Sequence, residues 1–390
     1  MVKAFEFAQT PNIIFGQGKI ADLPRLVKIY GGDVLVVSGK KSFTHSKHGE
    51  FVFNTFELTG IRYHHFQVNS EPSPEMIDKA VITHRPNNIG LVVAIGGGSV
   101  IDAGKAISAM LTVNNPIMEY LEGVGTREHP GTKIPFIAIP TTAGTGSEAT
   151  KNAVISEVGP AGFKKSLRHN NFMPDYALVD PELTLSCPPN ITASSGMDCF
   201  TQLVESYLSD QANSLTDAIA LDGLLNLKDS LISAWRWGQN IEARSGMSYA
   251  ALISGITLAN AALGVVHGFA SSIGGMFNIP HGVVCGTLMG ITNRVNVEKL
   301  RKDSPGNNAL SKYANLGKLF TGEAGRTEEW YIDAFLSVTD EWTSLLNIPK
   351  LGSFGITNQH YDNIIAKTGL KSNPVKLGHE ELFRILETRT

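Results

Sequence analysis

Three side chains in the second half of the chain have the types and order needed to hold a metal ion: Asp198, His267 and His281. Asp198 lies in the otherwise uncharged stretch Met197-Asp-Cys-Phe-Thr-Gln-Leu-Val204, where burying a carboxylate is costly unless it is paired or metal-bound. Gln202 follows four residues later, so the two project from one face of a single helix predicted over 193–209. Two imidazoles and a carboxylate with one coordination position left open suit zinc or ferrous iron acting as a Lewis acid. A histidine in glycine-rich helical sequence also reads as a hydrogen-bonded core residue, so side-chain chemistry alone leaves both readings open.

Two loops have phosphate-binding character. Gly96-Gly-Gly-Ser-Val-Ile-Asp102 follows an apolar run and enters a helical pattern, which aims backbone N–H groups and a positive helix end at a pyrophosphate. It lacks the GxGxxG spacing, and glycine at such a turn also has a purely steric use. Asp102, one turn in, is favoured there by the helix dipole alone. Pro140-Thr-Thr-Ala-Gly-Thr-Gly-Ser-Glu-Ala-Thr150 offers hydroxyls after a second apolar run, either for a cofactor or for capping its own backbone.

These loops need a frame. Val34–Ser38, Leu91–Ile95 and Ile134–Ile139 are continuous apolar runs of buried-strand length, and a helix is predicted over Val100–Met110. Buried strands alternating with helices predict a parallel α/β sheet, whose ligands sit beyond the carboxyl ends of the strands. After Asp180-Pro181 the windows 193–209, 215–235 and 242–263 show helical spacing only. The expected division is therefore an α/β dinucleotide-binding domain over 1–183 and an all-helical catalytic domain over 184–390, with Ser194 capping the first helix and the site in the cleft between them.

Composition narrows the partners. The net charge is 33 − 36 = −3 and no Lys/Arg block exceeds a pair, which argues against nucleic acid or an anionic membrane and for a small-molecule substrate. Cys187, Cys199 and Cys285 form no CxxC and lie far apart, so neither a disulfide framework nor a zinc finger is supported, and a reducing cytoplasm fits. The N-terminus lacks a signal-peptide pattern, and no run of 18 apolar residues is present.

Gly96–Asp102, Pro140–Glu148, Gly196-Met-Asp-Cys-Phe-Thr-Gln-Leu-Val-Glu205, Val266-His-Gly-Phe-Ala270 and Pro280-His-Gly282, taken in order, resemble the iron-containing (group III) alcohol dehydrogenase family over nearly the whole chain. The resemblance implies the dehydroquinate synthase-like fold of that family and a homo-oligomer, commonly a dimer. It also implies pyrophosphate binding by Gly97, Gly98 and Ser99, with cofactor contacts from Asp102, Thr141, Thr142, Thr145, Lys164 and Leu178. Lys165 is the competing assignment for the lysine. The implied ligands are Asp198, His267 and His281 for Fe2+, with Zn2+ as the alternative. The family's fourth ligand, a histidine four residues after the aspartate, is Gln202 here, and an amide oxygen is the poorer ligand. Two neighbouring departures are Ser271, where relatives carry a histidine, and Cys285, where an asparagine is common.

Cofactor choice is read at the end of the Val34–Ser38 strand, where an acidic residue would bind the NAD ribose and repel a 2′-phosphate. Gly39 occupies that place with Lys40 and Lys41 beside it, so NADP(H) is expected over NAD(H). The expected reaction is hydride transfer between nicotinamide and a small alcohol or aldehyde, which Asn152, Phe269 and Phe277 are expected to help enclose. The alternatives are a metal-independent keto-acid or maleylacetate-type reductase, a cyclising lyase such as dehydroquinate synthase, and a catalytically silent nucleotide-binding protein.

Overall fold

A computed structural model describes residues 4–40 and 42–390, so Lys41 lies outside the described residues. The first half is built on β1 (Asn12–Phe15), α1 (Leu23–Val27), β2 (Asp33–Gly39), α2 (Lys47–Leu58), β3 (Tyr63–Val68), α3 (Pro74–His84), β4 (Ile89–Gly96), α4 (Gly98–Met110) and β5 (Phe136–Pro140). The hairpin β6 (Asn152–Glu157) and β7 (Phe163–Arg168) and the strand β8 (Tyr176–Val179) complete it. Six strands form one parallel sheet in the order β1-β8-β5-β4-β2-β3. Alternate residues feed two cores: Leu35, Val37, Val92, Ala94 and Phe136 pack beneath α3 and α4, while Val34, Val36, Val93, Ile137 and Leu178 face α1 and α2.

The chain leaves β2 towards one edge of the sheet and leaves β4 towards the other. The strand order therefore reverses between β2 and β4, and their carboxyl ends, Gly39 and Gly96, flank the crevice where such sheets bind ligands. The helix after β4 begins at Gly98, two residues before the predicted start. The antiparallel pair β6–β7 was not visible in the α/β texture, because its strands are mixed polar and apolar.

The second half is helical: α5 (Pro189–Leu208), α6 (Ser214–Arg236), α7 (Ile241–Ala261), α8 (Val265–Met276), α9 (His281–Asp303), α10 (Asn308–Thr321), α11 (Glu328–Leu345), α12 (Tyr361–Lys367) and α13 (His379–Thr388). Helix α5 starts at Pro189, a favoured first helical position, and Ser194 lies inside it rather than capping it. From Thr192 to Leu208 only Ser195 escapes full burial, so α5 is the central helix of this half. Among the described residues no single helix is long and apolar enough to cross a membrane.

The two halves are joined by the loop after β5. Gly146 has φ +62°, and a Cβ there would lie 2.3 Å from Ala251 O and 2.4 Å from Gly255 N on α7, so only glycine allows the approach. Lys105, buried on α4, anchors the same loop by donating to Ser147 O at 2.9 Å, Thr150 Oγ1 at 3.0 Å and Asn152 O at 2.8 Å. Burial pulls its pKa down to about 8, yet three oxygens for three N–H donors keep the ammonium at neutral pH. Lys105→Met strands those acceptors beside Asp102 and should lower stability by about 3–5 kcal/mol in urea denaturation. A loss below about 1 kcal/mol, the net worth of one ordinary hydrogen bond, would show that the ammonium does not anchor the loop.

Candidate metal centre and cofactor cleft

Three helices converge on one buried carboxylate. Asp198, Gln202 and Glu205 lie at i, i+4 and i+7 on α5 and form its polar face, all buried. The chain turns by 99° between α7 and α8, with Ala262 at φ +58° and ψ −167°, a strained conformation for a residue with a Cβ. That corner places His267 in the first turn of α8. Helix α9 begins at His281, and Gly282 lets it approach α5 closely, since a Cβ there would lie 2.3 Å from Ser194 O.

His267 Nε2 lies 3.5 Å and His281 Nε2 3.7 Å from Asp198 Oδ1, a buried oxygen with no hydrogen-bond partner. Glu205 orients the first imidazole: its Oε2 accepts from His267 Nδ1 at 2.6 Å, and its Oε1 accepts from Val266 N at 2.7 Å. This keeps a proton on Nδ1 and turns Nε2 towards Asp198, the usual support of a metal-binding histidine. Sequence reasoning assigned Glu205 no role, although its i+7 spacing from Asp198 was visible.

Cys285, noted in the sequence only as a departure from a common asparagine, joins the cluster. One turn after His281 on α9, its Sγ lies 3.8 Å from both imidazole Nε2 atoms, and Asp198, His267, His281 and Cys285 each place one donor atom within 4.8 Å of the others. The electrostatics are those of a cation site. Burial works to raise the Asp198 pKa, but His281 and His267 outweigh it and hold the carboxyl down at about 2. Burial drives His281 down to about 4 and pushes the Cys285 thiol up to about 12. Burial also opposes a charge on His267, yet Cys285 and the flanking carboxylates hold it well above the ordinary imidazole value.

Gln202 does not simply replace a histidine. Its Nε2 donates to Thr145 O at 2.9 Å and to Ser254 Oγ at 3.0 Å, leaving only the amide oxygen for any ion. The carbonyl partner fixes the amide's orientation, since only the NH2 group can donate to it. The bond ties α5 to the cofactor loop. Ser271 Oγ donates to His267 O at 2.9 Å in its own helix, so its proton is committed to the backbone.

On the opposite wall the two predicted loops meet at the ends of the neighbouring strands β4 and β5. Cβ atoms at Gly97 and Gly98 would approach the hydroxyls of Thr142 and Thr145 to 3.4 and 2.9 Å, and Ser99 follows in the first turn of α4. Thr141 N donates to Gly96 O at 2.9 Å. Gly39 ends β2 across the switch point, with Lys40 exposed beside it and a cavity of about 240 Å3 nearby, lined by Ser42, Ser46, Lys47 and Thr141 among others.

The remaining expected residues have protein partners of their own. Asp102 is buried and accepts from Val154 N at 3.2 Å, with burial raising its pKa to about 6. Leu178 is enclosed in the sheet core. Lys164 donates to both Glu71 carboxylate oxygens at 2.7 and 2.8 Å and is near enough to His281 to disfavour its charge, whereas Lys165 points towards Gly123. Of the expected substrate-enclosing residues, Phe269 is fully in the helical core, Phe277 sits edge-on to His360 at 5.1 Å, and Asn152 bonds to Ser166 at 3.4 Å.

A glycine–hydroxyl cradle facing a carboxylate–imidazole cluster is the arrangement of a nicotinamide-linked oxidoreductase assisted by a metal ion. Residues 10–181 match the family model described as iron-containing alcohol dehydrogenase, and residues 192–390 match that of the Fe-containing alcohol dehydrogenase family, C-terminal. The NADPH-dependent butanol dehydrogenase of Clostridium saccharobutylicum is 29% identical across 98% of this chain and 97% of its own length. Alcohol dehydrogenase 4 of Schizosaccharomyces pombe is 31% identical, covering 96% of this chain and 86% of its own. A solved 1,3-propanediol oxidoreductase shares the fold with a TM-score of 0.89 at 26% identity over the whole of both chains. The chain belongs to the iron-containing alcohol dehydrogenase family and is an oxidoreductase acting on CH–OH groups.

The Glu205–His267 pair carries its own expectation. Glu205→Gln keeps the shape and the bond from Val266 N, but turns an NH2 group towards Nδ1 and forces the proton onto Nε2. Metal affinity should fall roughly 10–100-fold in a competition titration against a chromophoric chelator. Unchanged affinity would leave Glu205 a purely structural cap of α8.

Proposed function

We propose that this protein is an NADP(H)-preferring dehydrogenase of small alcohols, equally a reductase of the corresponding aldehydes, that holds a divalent ion on Asp198, His267 and His281. One observation carries the reading: the unpartnered, buried Asp198 Oδ1 faces two imidazole nitrogens, and a glycine–hydroxyl cradle forms the opposite wall. Imidazole and carboxylate donors suit Fe2+ and Zn2+ alike. The division of labour follows the domains expected from the sequence, cofactor on 1–183 and ion on 184–390. A homodimer in a reducing cytoplasm completes the reading, the latter supported by three free cysteines.

When bound, the ion supplies Lewis acidity towards the substrate oxygen and the nicotinamide gives or takes the hydride. The chain's own part is positional. Gly97, Gly98 and Ser99 offer backbone N–H groups to the pyrophosphate, while Thr141, Thr142 and Thr145 line the same crevice. Gln202 sets the height of the Thr145 carbonyl against α5, which fixes the distance between cofactor wall and ion wall. Glu205 holds the His267 ring by its Nδ1–H, so that Nε2 is the nitrogen presented to the ion. Because Ser271 donates to backbone, the alcohol proton comes from solvent, admitted beside the partly exposed His281, or from a cofactor ribose hydroxyl.

Protein purified without chelator should contain about one equivalent of divalent metal and reduce short aldehydes with NADPH. Asp198→Ala should lower kcat/KM roughly a thousandfold or more, since Lewis-acid stabilisation is worth several kcal/mol. Full activity after exhaustive metal removal would refute the reading.

Cofactor preference is checked separately. Lys40 at the β2 end suits a 2′-phosphate, and a charge-assisted hydrogen bond is worth about 1.5–3 kcal/mol. Lys40→Ala should therefore raise KM for NADPH roughly tenfold or more and leave KM for NADH unchanged. A wild-type preference for NADH would overturn the assignment.

A further inference from the structure

We propose that Cys285, and not Gln202, supplies the fourth protein bond to the ion, making an Asp–His–His–Cys donor set that selects Zn2+ over Fe2+. The inference rests on the three-ligand reading above and adds a fourth donor to it; the substrate oxygen would then bind as a fifth, an expansion that zinc allows.

The geometry comes from two helices held close together. His281 and Cys285 are four residues apart on α9, so both project from one face of that helix. Gly282 and Gly286 lie on the adjoining stripe, where Cβ atoms would come within 2.3 Å of Ser194 O and 2.8 Å of Met197 Cβ on α5. The face carrying His281 and Cys285 is thereby brought against Asp198.

Four edges of the resulting tetrahedron have lengths of 3.8 Å from Sγ to each Nε2, 3.5 Å from His267 Nε2 to Asp198 Oδ1 and 3.7 Å from His281 Nε2 to the same oxygen. A tetrahedral zinc site with bonds of about 2.0–2.3 Å has donor atoms about 3.3–3.8 Å apart. These four edges lie within that range before any ion is added, and the other two are no longer than 4.8 Å. Asp198 is 2% exposed and Cys285 fully enclosed, and Oδ1 has no hydrogen bond that an ion would have to displace.

Gln202 has only its amide oxygen to offer, the poorer ligand for such an ion. Both protons of its amide hold the Thr145 carbonyl and Ser254, which positions the cofactor loop. Binding releases the Sγ–H proton to solvent and forms one metal–sulfur bond with no change in oxidation state. A thiolate is a soft ligand and moves the preference towards zinc.

X-ray absorption at the zinc edge of the singly loaded protein should show one sulfur at about 2.3 Å beside nitrogen and oxygen at about 2.0 Å. The Co2+-substituted protein should show a thiolate-to-cobalt charge-transfer band in the near ultraviolet that Cys285→Ser abolishes and Gln202→Ala retains. Zinc affinity of Cys285→Ser should fall roughly 100-fold or more, because even replacements outside the ligand shell cost 10–100-fold. One equivalent of bound metal with only nitrogen and oxygen neighbours would overturn the role of Cys285 and leave the three-ligand reading standing. Failure of the wild-type protein to bind any divalent metal would overturn both.

Discussion

Two carboxylates buried on one face of α5 set the terms for the rest of the catalytic half. An ionised carboxylate removed from water costs several kcal/mol unless donors or positive charge replace its hydration. Glu205 has its replacement, an N–H of the α8 start and the His267 ring at 2.7 and 2.6 Å. Asp198 has only half of one, because its Oδ1 faces two imidazoles without a hydrogen bond. The strained corner at Ala262 and the glycine-mediated approach of α9 to α5 both serve to bring those imidazoles to that oxygen. Strain of this kind costs on the order of 1–3 kcal/mol and persists only where packing over-determines it, as the fully buried α5 does here.

The same helix face connects the two walls of the cleft. Gln202 lies one turn from Asp198 and reaches the loop that follows β5, while Gly146 presses that loop against α7 and Lys105 grips it from the sheet side. A histidine at position 202 would offer at most one donor per ring nitrogen, the two pointing in divergent directions. The amide offers two donors from one nitrogen and uses both. At this position the side chain acts as a tether, and the register between cofactor loop and carboxylate–imidazole cluster becomes a property of α5.

What the sequence made legible was local. The glycine and threonine loops, the apolar strands that precede them and the change to helical spacing after Asp180 each depend on neighbours a few residues away, and each lies close to where its pattern placed it. Glu205 and Cys285 escaped because their roles depend on helix approach: the first on the α7–α8 corner, the second on α9 lying within glycine distance of α5. Asp102 has surroundings that were hidden for the complementary reason. Its place near a helix start suggested a ligand-facing carboxylate, whereas the β6–β7 hairpin, unseen in the sequence, covers it and takes its hydrogen bond. The i, i+4, i+7 run of Asp198, Gln202 and Glu205 was nonetheless present as a signal, three polar groups on one stripe of an otherwise apolar helix.

A doubly wound sheet facing a helical domain says little by itself about chemistry, since one fold hosts several reactions and function lies in the site built on it. The deciding feature here is which atoms converge. A phosphate-handling lyase would require cations around its substrate, and the cluster at the middle of α5 gathers a carboxylate, two imidazoles and a thiol. Lys164, beside His281, is paired with both oxygens of Glu71. Such a centre attracts a cation and, through it, the lone pair of a neutral oxygen. A hydroxyl or carbonyl substrate follows from that donor set, and the cradle across the cleft supplies a place for the hydride carrier.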